Sequence, residues 1–208
     1  STLVKLMNQF YDVSRGSIEI NGVDIRKYNL ESLRTQIGYV AQKAHMFKGS
    51  IQSNICFGKP EASVEEMVHA ATVAQASDFI STREHGYEDE IAEDGTNISG
   101  GQKQRLSIAR VILKKPSLYI YDDSFSALDF KTDATLRKAL KPEVKNAIFF
   151  VVAQRISTIM DSDMIIVLDE GQIIGMGTHA QLLKDCSVYQ EIAHSQLTQK
   201  ELDDYERN

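Results

Sequence analysis

The 208-residue sequence has little of several features that mark other classes of protein. It has two cysteines, Cys56 and Cys186, which are too few for a disulfide framework and favour a reducing compartment. Its five histidines show no spacing typical of a metal site. The longest apolar run, Ala147 to Ala153, is far shorter than a membrane span. Any membrane role would therefore need residues or a partner outside this sequence.

Positive charge is also scarce. The chain has 23 Lys and Arg against 29 Asp and Glu, which gives a formal net charge of −6. Because nucleic-acid-binding proteins usually carry clustered basic residues, and no basic run is present, the sequence argues against a nucleic-acid partner. The apolar fraction of 42% and the charged fraction of 25% are ordinary for a globular protein. The length suits one domain, or one domain with a subdomain.

The stretch from Ile98 to Asp129 is the most informative part of the sequence. It opens at the start of a helical pattern, where unpaired N–H groups and the helix dipole favour an anion such as phosphate. A serine there can cap the helix, and two glycines allow close approach of the backbone. The residues of this opening are Ser99, Gly100, Gly101 and Gln102.

A short apolar strand, Ser117 to Tyr121, follows this helix and runs into Asp122 and Asp123. Carboxylates at the carboxyl end of a parallel strand face the crevice in which open α/β sheets bind ligands, and they suit Mg²⁺. A phosphate-binding helix start and a metal-binding strand end within one short stretch predict a nucleotide bound together with Mg²⁺.

Hydrophobic periodicity and turn residues predict strands that alternate with helices, and hence a largely parallel sheet. The segment from Ile51 to Lys115 lacks strong strand signals and contains a predicted polar loop, Gly86 to Asn97. The predicted strands are 17–20, 37–41, 117–121, 147–152, 164–168 and 172–176, with hairpin turns at 21–22 and 170–171. The predicted helices are 1–10, 51–56, 63–76, 77–83, 99–115, 130–140, 156–160, 178–184 and 187–197.

These motifs resemble the signature motif, Walker B motif and D-loop of the ATP-binding-cassette (ABC) ATPases, and the similarity extends along the whole chain. The resemblance implies an α/β fold: a P-loop NTPase core of the ABC type with an inserted helical subdomain, from which the N-terminal β-subdomain and the P-loop strand are missing. Residues 1–50 and 116–198 would form the α/β core. Residues 51–115 would form the helical subdomain that carries the signature, and residues 199–208 a polar tail.

The resemblance also implies which residues bind ATP and Mg²⁺ on this chain. Ser1 and Thr2 look like the exit of a P-loop, where the hydroxyl of Ser1 would ligate Mg²⁺. Gln42, after the strand 37–41, would reach Mg²⁺ and the attacking water, and Asp122 would hold Mg²⁺ through a water molecule. The P-loop lysine, its glycines and the aromatic residue that stacks on adenine are expected upstream of Ser1.

The resemblance assigns the signature residues to a different ATP, held by a second ABC ATPase domain in a head-to-tail dimer. Ser99, Gly100, Gly101 and Gln102 are similar to the intact family motif, and Asp129 of the D-loop would cross the dimer interface.

Two departures from the family pattern fall on this chain's own site. Asp123 stands where the family's general base is usually Glu, and its side chain is one methylene shorter. A misplacement of about 1 Å can reduce a rate on the order of 10²-fold. Gln154, before Arg155, stands where the family has His, and an amide cannot carry the charge of an imidazole. We therefore expect a degenerate, weakly hydrolytic site and a heterodimer with a consensus partner.

Other stretches are similar to ABC exporters in particular. These are the segment from Met46 to Ile55, and Glu93 with Gly95 just before the signature. The resemblance implies the ATPase domain of an exporter of a drug or lipid at the cytoplasmic face of a bacterial cell membrane. Its transmembrane domains would lie in the same polypeptide or complex. Two alternatives stay open: a soluble ABC ATPase, although no coiled-coil insertion or tandem cassette is present, and a non-catalytic regulatory cassette.

Overall fold

The computed structural model describes residues 2–198, so that the predicted roles of Ser1 and of the tail 199–208 lie outside the described residues. The strands within that range are β1 (Glu19–Ile20), β2 (Val23–Asp24), β3 (Ile37–Val40), β4 (Gly49–Ser50), β5 (Glu90–Ile91), β6 (Leu118–Asp122), β7 (Ile148–Val152), β8 (Ile165–Asp169) and β9 (Gln172–Gly177).

The α-helices of the same range are α1 (Thr2–Met7), α2 (Leu30–Gln36), α3 (Ile51–Cys56), α4 (Val64–Val73), α5 (Ser77–Ser81), α6 (Gly100–Lys114), α7 (Phe130–Glu143), α8 (Ile156–Ile159), α9 (His179–Asp185) and α10 (Ser187–Gln196). Short 3-10 helices cover Ile25–Lys27, Gly86–Glu88 and Glu93–Gly95. The chain divides into two compact units, Ser1–Val152 and Ala153–Asn208.

A parallel three-stranded sheet forms the centre of the first unit, in the order β3-β6-β7. All five residues of the middle strand β6 are buried, because the strand is paired on both edges and covered on both faces. Val40 lies opposite Tyr121, and Asp122 lies opposite Val152. The predicted parallel sheet is thus confirmed, and Asp122 is the last residue of the middle strand.

Helix α6 packs closely on this sheet because Gly38 has no side chain. A Cβ atom at Gly38 would lie 2.5 Å from Cγ1 of Val111 and 2.6 Å from Cγ of Pro116. The helix ends with Lys115 in the left-handed conformation (φ 51°), just before Pro116. Its apolar residues join those of α3, α4, β6 and β7 in the largest core of the unit.

Several short elements of the first unit differ from the prediction. The predicted polar loop 86–97 contains β5, which pairs antiparallel with β4. Helix α2 lies in a segment for which the sequence predicts no element, although Asn29 caps it by accepting from the backbone N–H of Glu31. Two-residue strands and a seven-residue helix are too short to leave a clear periodic signal, and their stability comes from tertiary packing.

Helix α7 also runs beyond its predicted end at residue 140 and contains Pro142. Leu136 and Leu140 are buried on its inner face, and the N–H of Val144 donates to the carbonyl oxygen of Leu140 at 3.1 Å. These contacts maintain the last turn despite the backbone donor that proline lacks.

The second unit is a hairpin with helices. Strands β8 and β9 are antiparallel, as predicted, and the turn uses Glu170 (φ 45°) and Gly171 (φ 80°). Its core consists of Ile156, Ile165, Val167, Leu182, Cys186, Tyr189 and Ala193. In the part of the chain that the structure describes, no helix has the length and apolarity needed to cross a bilayer.

Candidate nucleotide-binding site

Asp122 is held in place at the carboxyl end of β6 by a tyrosine on the neighbouring strand. Only 2% of Asp122 is exposed, and the Oη of Tyr39 donates to its Oδ2 at 3.1 Å. Burial raises the pKa of Tyr39 to about 12, and the negative charge of Asp122 acts in the same direction. Tyr39 therefore stays protonated near neutral pH and fixes one oxygen of the buried carboxylate.

Asp123 leaves the strand through a sharp change of backbone direction. Its φ of 50° is in the left-handed region, which Asp tolerates better than most residues do. Its backbone N–H donates to the carbonyl oxygen of Val152 at 2.8 Å, and its carbonyl oxygen accepts from the Oγ of Ser126 at 2.7 Å. These bonds direct the Asp123 side chain to a partly exposed position beyond the end of the sheet.

Gln42 reaches this acid pair from the end of β3. Its side chain is exposed, and its Nε2 donates to Oδ2 of Asp123 at 2.9 Å. The structure thus brings Gln42, Asp122 and Asp123 together where two adjacent parallel strands end, which is where an α/β sheet binds ligands. Their roles toward a nucleotide remain predictions.

The donor set of these residues fits Mg²⁺. It offers carboxylate and amide oxygens, and protein-bound Mg²⁺ usually takes one or two carboxylates together with phosphate oxygens and water. Between residues 2 and 198, no group of three or more His, Cys, Asp and Glu side chains could hold a metal by itself.

Thr2, the other predicted residue of the P-loop exit, is the first residue of α1 and is exposed. It begins the described part of the chain, so its predicted contact with nucleotide stays a prediction. Ser1, its predicted companion as a Mg²⁺ ligand, lies outside that part.

The predicted signature forms the start of α6 through a capping box. The Oγ of Ser99 accepts from the N–H of Gln102 at 3.2 Å, and Oε1 of Gln102 accepts from the N–H of Ser99 at 2.9 Å. A Cβ at Gly100 would meet nothing within 4 Å, whereas one at Gly101 would lie 3.3 Å from the carbonyl oxygen of Ala127. The helix start is thus closed by two reciprocal hydrogen bonds, open at Gly100 and packed at Gly101 against the loop after Asp123.

Asp129 has a role within its own chain as the N-cap of α7. Its Oδ1 accepts from the N–H of Thr132 at 2.9 Å, and its Oδ2 accepts from the Oγ1 of the same residue at 2.7 Å. These two bonds lower the pKa of Asp129, first through the backbone donor and then through the hydroxyl. The residue is exposed, and its predicted role across a dimer interface remains a prediction.

Gln154 belongs to the second unit, close to its first residue. Its side chain is exposed, and its carbonyl oxygen accepts from the Nε2 of Gln196 at 2.9 Å. The Oε1 of Gln196 accepts in turn from the N–H of Ile156 at 2.8 Å, so that Gln196 holds the backbone on both sides of Arg155. The predicted role of Gln154 in hydrolysis stays a prediction.

Sequence reasoning missed two residues that support the site. Tyr39 contacts Asp122 across 83 positions of sequence, and the buried Gln104 contacts the carbonyl of Ala41 across 63 positions. Each has a weak signal in the sequence. Tyr39 is a residue with a polar hydroxyl in an otherwise apolar strand, and Gln104 is an amide on the inner face of an amphipathic helix. Neither signal identifies the partner.

Comparison with known proteins gives the family. The sequence profile described as "ABC transporter" matches residues 1–126, which is more than half of the chain. The chain belongs to the ABC transporter family. The fold agrees, because the chain superposes on a bacterial Atm1-family ABC exporter with ATP bound at a TM-score of 0.91. The two are 37% identical, and the match covers 93% of this chain and 34% of that one.

Relatives of this ABC domain are longer proteins. YgaD of Bacillus subtilis, named as a multidrug export ATP-binding/permease protein, is 46% identical over 92% of this chain and 33% of its own length. A Staphylococcus aureus protein with the same kind of name is 42% identical over 92% of this chain and 33% of its own length. Heavy metal tolerance factor 1 of Caenorhabditis elegans is 40% identical over 96% of this chain and 25% of its own length. The chain therefore spans a third or less of each of these relatives.

Proposed function

We propose that this ABC domain binds and hydrolyses ATP for a membrane exporter of a substrate such as a drug or lipid. The observation that carries the proposal is the contact of Gln42 with Asp123 beside the buried Asp122, at the carboxyl end of the parallel sheet. Relatives named for multidrug export, and a structural neighbour that is an ABC exporter, support the exporter assignment. The domain would work at the cytoplasmic face of a bacterial membrane, joined to transmembrane domains in the same polypeptide or complex.

The residues at the chain's own ATP would have separate roles in binding and in hydrolysis. Asp122, Gln42 and Ser1 would hold Mg²⁺, and Thr2 would contact the nucleotide. When bound, Mg²⁺ would neutralise charge that develops on the phosphates. Asp123 would orient the attacking water and accept its proton, while the Gln42 amide keeps the Asp123 carboxylate in one orientation.

The second half of the proposal is that this site is degenerate. Asp123 reaches less far than the longer acid of the family pattern, and Gln154 replaces an imidazole with an amide. The signature residues Ser99–Gln102 have kept their glycines and their cap, which supports a role at an ATP held by a partner. A heterodimer with one competent and one weak site follows, in which Asp129 would contact the partner domain.

The test uses the full-length protein with its membrane segments, assembled with its partner in lipid. ATP hydrolysis is measured for Asp123→Asn, and separately for a partner whose own catalytic carboxylate has been changed to the amide. We expect Asp123→Asn to lower the rate less than about threefold, because the chain's own site would contribute little to hydrolysis. We expect the partner's change to lower it more than about 100-fold, because the partner's site would carry most of the hydrolysis and depend on a well-placed base. Equal losses would overturn the degenerate site.

Two variants complete the design. Asp185→Asn removes an exposed carboxylate in α9 and is the matched control, with an expected rate equal to that of the unmodified complex. Asp123→Glu restores the missing reach, and we expect it to raise hydrolysis when the partner's site is silenced.

An assembled complex that binds ATP without hydrolysing it would instead favour a non-catalytic cassette. An upstream sequence without transmembrane helices would favour a soluble ABC ATPase.

A further inference from the structure

Gln104 is a buried amide in the core-facing surface of α6. Only 1% of the residue is exposed, and its neighbours on the same helix include the fully buried Leu106 and Ile108. Its Nε2 donates to the carbonyl oxygen of Ala41 at 3.1 Å. Burying a polar side chain is unfavourable unless it is hydrogen-bonded. This bond therefore satisfies the amide on a helix whose other buried residues, apart from Ser107, are apolar.

The accepting carbonyl belongs to the peptide unit that leads into Gln42. A peptide unit is planar, so that fixing the carbonyl oxygen of Ala41 also fixes the direction of the N–H of Gln42. The Gln42 side chain then donates to Oδ2 of Asp123 at 2.9 Å. Two hydrogen bonds therefore connect α6 to the acid that would orient the attacking water.

A second contact connects α6 to the other side of Asp123. Gly101, in the first turn of α6, approaches the carbonyl oxygen of Ala127, which a Cβ there would meet at 3.3 Å. The adjacent Ser126 donates its hydroxyl hydrogen to the carbonyl oxygen of Asp123 at 2.7 Å. The start of α6 and its second turn thus contact both segments that position Asp123.

We infer that Gln104 is a positioning residue, which sets the orientation of Gln42 and makes the Gln42–Asp123 contact depend on the position of α6. This inference rests on the proposed function, because it assigns Gln42 and Asp123 to ATP hydrolysis. Its consequence is that the helix whose start faces the partner's ATP also sets the geometry at the chain's own ATP.

The test compares two variants of similar size, Gln104→Met and Gln104→Glu, in the assembled full-length complex whose partner site has been silenced, so that the measured turnover is that of the chain's own site. The unmodified reference is the same complex with Gln104 intact. Methionine removes the donor, so that we expect kcat for ATP to fall at least fivefold while KM stays within twofold. In a Gln42→Ala background the same change should lower kcat by less than twofold, because Gln104 acts through Gln42. Equal losses in both backgrounds, or no loss in either, would overturn the inference.

Gln104→Glu adds a pH readout that a merely structural role would not produce. Protonated Glu can donate to the Ala41 carbonyl, whereas the carboxylate repels it, and burial raises the pKa of such a carboxyl group. We expect kcat relative to the unmodified complex to rise at least threefold from pH 8.5 to pH 6 for Gln104→Glu and to stay flat for Gln104→Met. Parallel profiles for the two variants would contradict the inference.

A control and an independent measurement separate this inference from the proposed function. Gln36→Met alters an amide that donates within its own helix, to the carbonyl of Ser32, and should leave kcat within twofold. Amide hydrogen exchange of residues 41–43 should quicken at least fivefold in Gln104→Met and remain unchanged in Gln36→Met. A complex without hydrolysis would refute the proposed function alone, whereas unchanged exchange at residues 41–43 would refute the positioning role alone.

Discussion

At the scale of single residues, the two adjacent acids differ in what surrounds them. Asp122 is buried and accepts from a tyrosine hydroxyl, whereas Asp123 is partly exposed and accepts from an amide. A buried carboxylate is fixed and suited to hold a cation, while a partly exposed one can meet water. The two side chains are chemically identical, so that only the difference in their surroundings supports their separate proposed roles.

The bond from Tyr39 to Asp122 gives a stability prediction. Tyr39→Phe removes the donor and leaves a buried carboxylate oxygen with one hydrogen bond fewer. We expect the free energy of unfolding at pH 7 to fall by about 1–3 kcal/mol, measured by urea denaturation. Tyr11→Phe, at a position that is 63% exposed, is the control and should change it by less than about 0.5 kcal/mol. Equal effects of the two changes would refute the importance of this bond.

The cap at Asp129 gives a pH prediction. Its pKa is lowered by its bonds to Thr132, so that its contribution to stability is complete above the ordinary pKa of about 3.9 and disappears as pH falls through the lowered value. Asn caps a helix about equally well but does not titrate. The stability advantage of the unmodified protein over Asp129→Asn should therefore decrease between pH 5 and pH 2, as followed by thermal unfolding. A constant difference over this range would refute the prediction.

The motif residues could be found from the sequence because each motif is contiguous. A capping serine, two glycines and an amide make the helix start of α6, and an apolar strand followed by two acids makes the end of β6. Tyr39 and Gln104 could not be assigned in the same way, since each acts through a partner more than 60 residues away. Which strand lies beside β6 is decided by tertiary packing.

At the scale of elements, the close packing of α6 on β3 depends on one missing side chain. Gly38→Ala would place a methyl group within 2.6 Å of both Val111 and Pro116, so that helix and sheet would have to separate. We expect the free energy of unfolding to fall by about 1–3 kcal/mol, measured by chemical denaturation. Gly58→Ala, whose added Cβ would lie no nearer than 3.4 Å to any other atom, is the matched control and should change it by less than about 1 kcal/mol. If the free energy of unfolding falls no more in Gly38→Ala than in Gly58→Ala, helix α6 and the sheet can separate without cost, and the prediction is wrong.

Long periodic elements were predictable, and short ones were not. The fifteen residues of α6 and the capping box of α4 follow from apolar spacing and from Ser63 with Glu66. The two-residue strands β4 and β5 have no usable period, and their pairing joins Gly49 with Ile91 across a long separation. Local propensity is a weak guide wherever an element is too short to be stable on its own.

At the scale of the whole molecule, each of the two units has a hydrophobic core of its own. The first unit contains the parallel sheet with two buried clusters, and the second contains the cluster around Leu182 and Tyr189. The predicted division into an α/β core and a helical subdomain 51–115 remains a proposal, since the largest cluster combines residues of both parts. The α/β fold class itself could be predicted from the alternation of strands and helices.

The separate core of the second unit predicts a local effect of a cavity. Leu182→Ala removes a side chain that is 2% exposed, and we expect it to destabilise that unit by about 2–4 kcal/mol. Amide hydrogen exchange should quicken more in residues 153–198 than in residues 2–152. Leu183→Ala, at the partly buried neighbouring position, should have a smaller effect. Uniform quickening over both ranges would refute separate cores.

The left-handed backbone at Asp123 has a consequence for how this position can change over generations. A left-handed φ costs most residues about 1–2 kcal/mol, and Asp and Asn tolerate it with less strain. Exchange of Asp for Asn would therefore remove the negative charge while the strand end keeps its shape, whereas a β-branched residue would strain the turn. The acid at position 123 could thus be lost without unfolding the protein. A lineage could therefore lose hydrolysis at this site and still keep the fold.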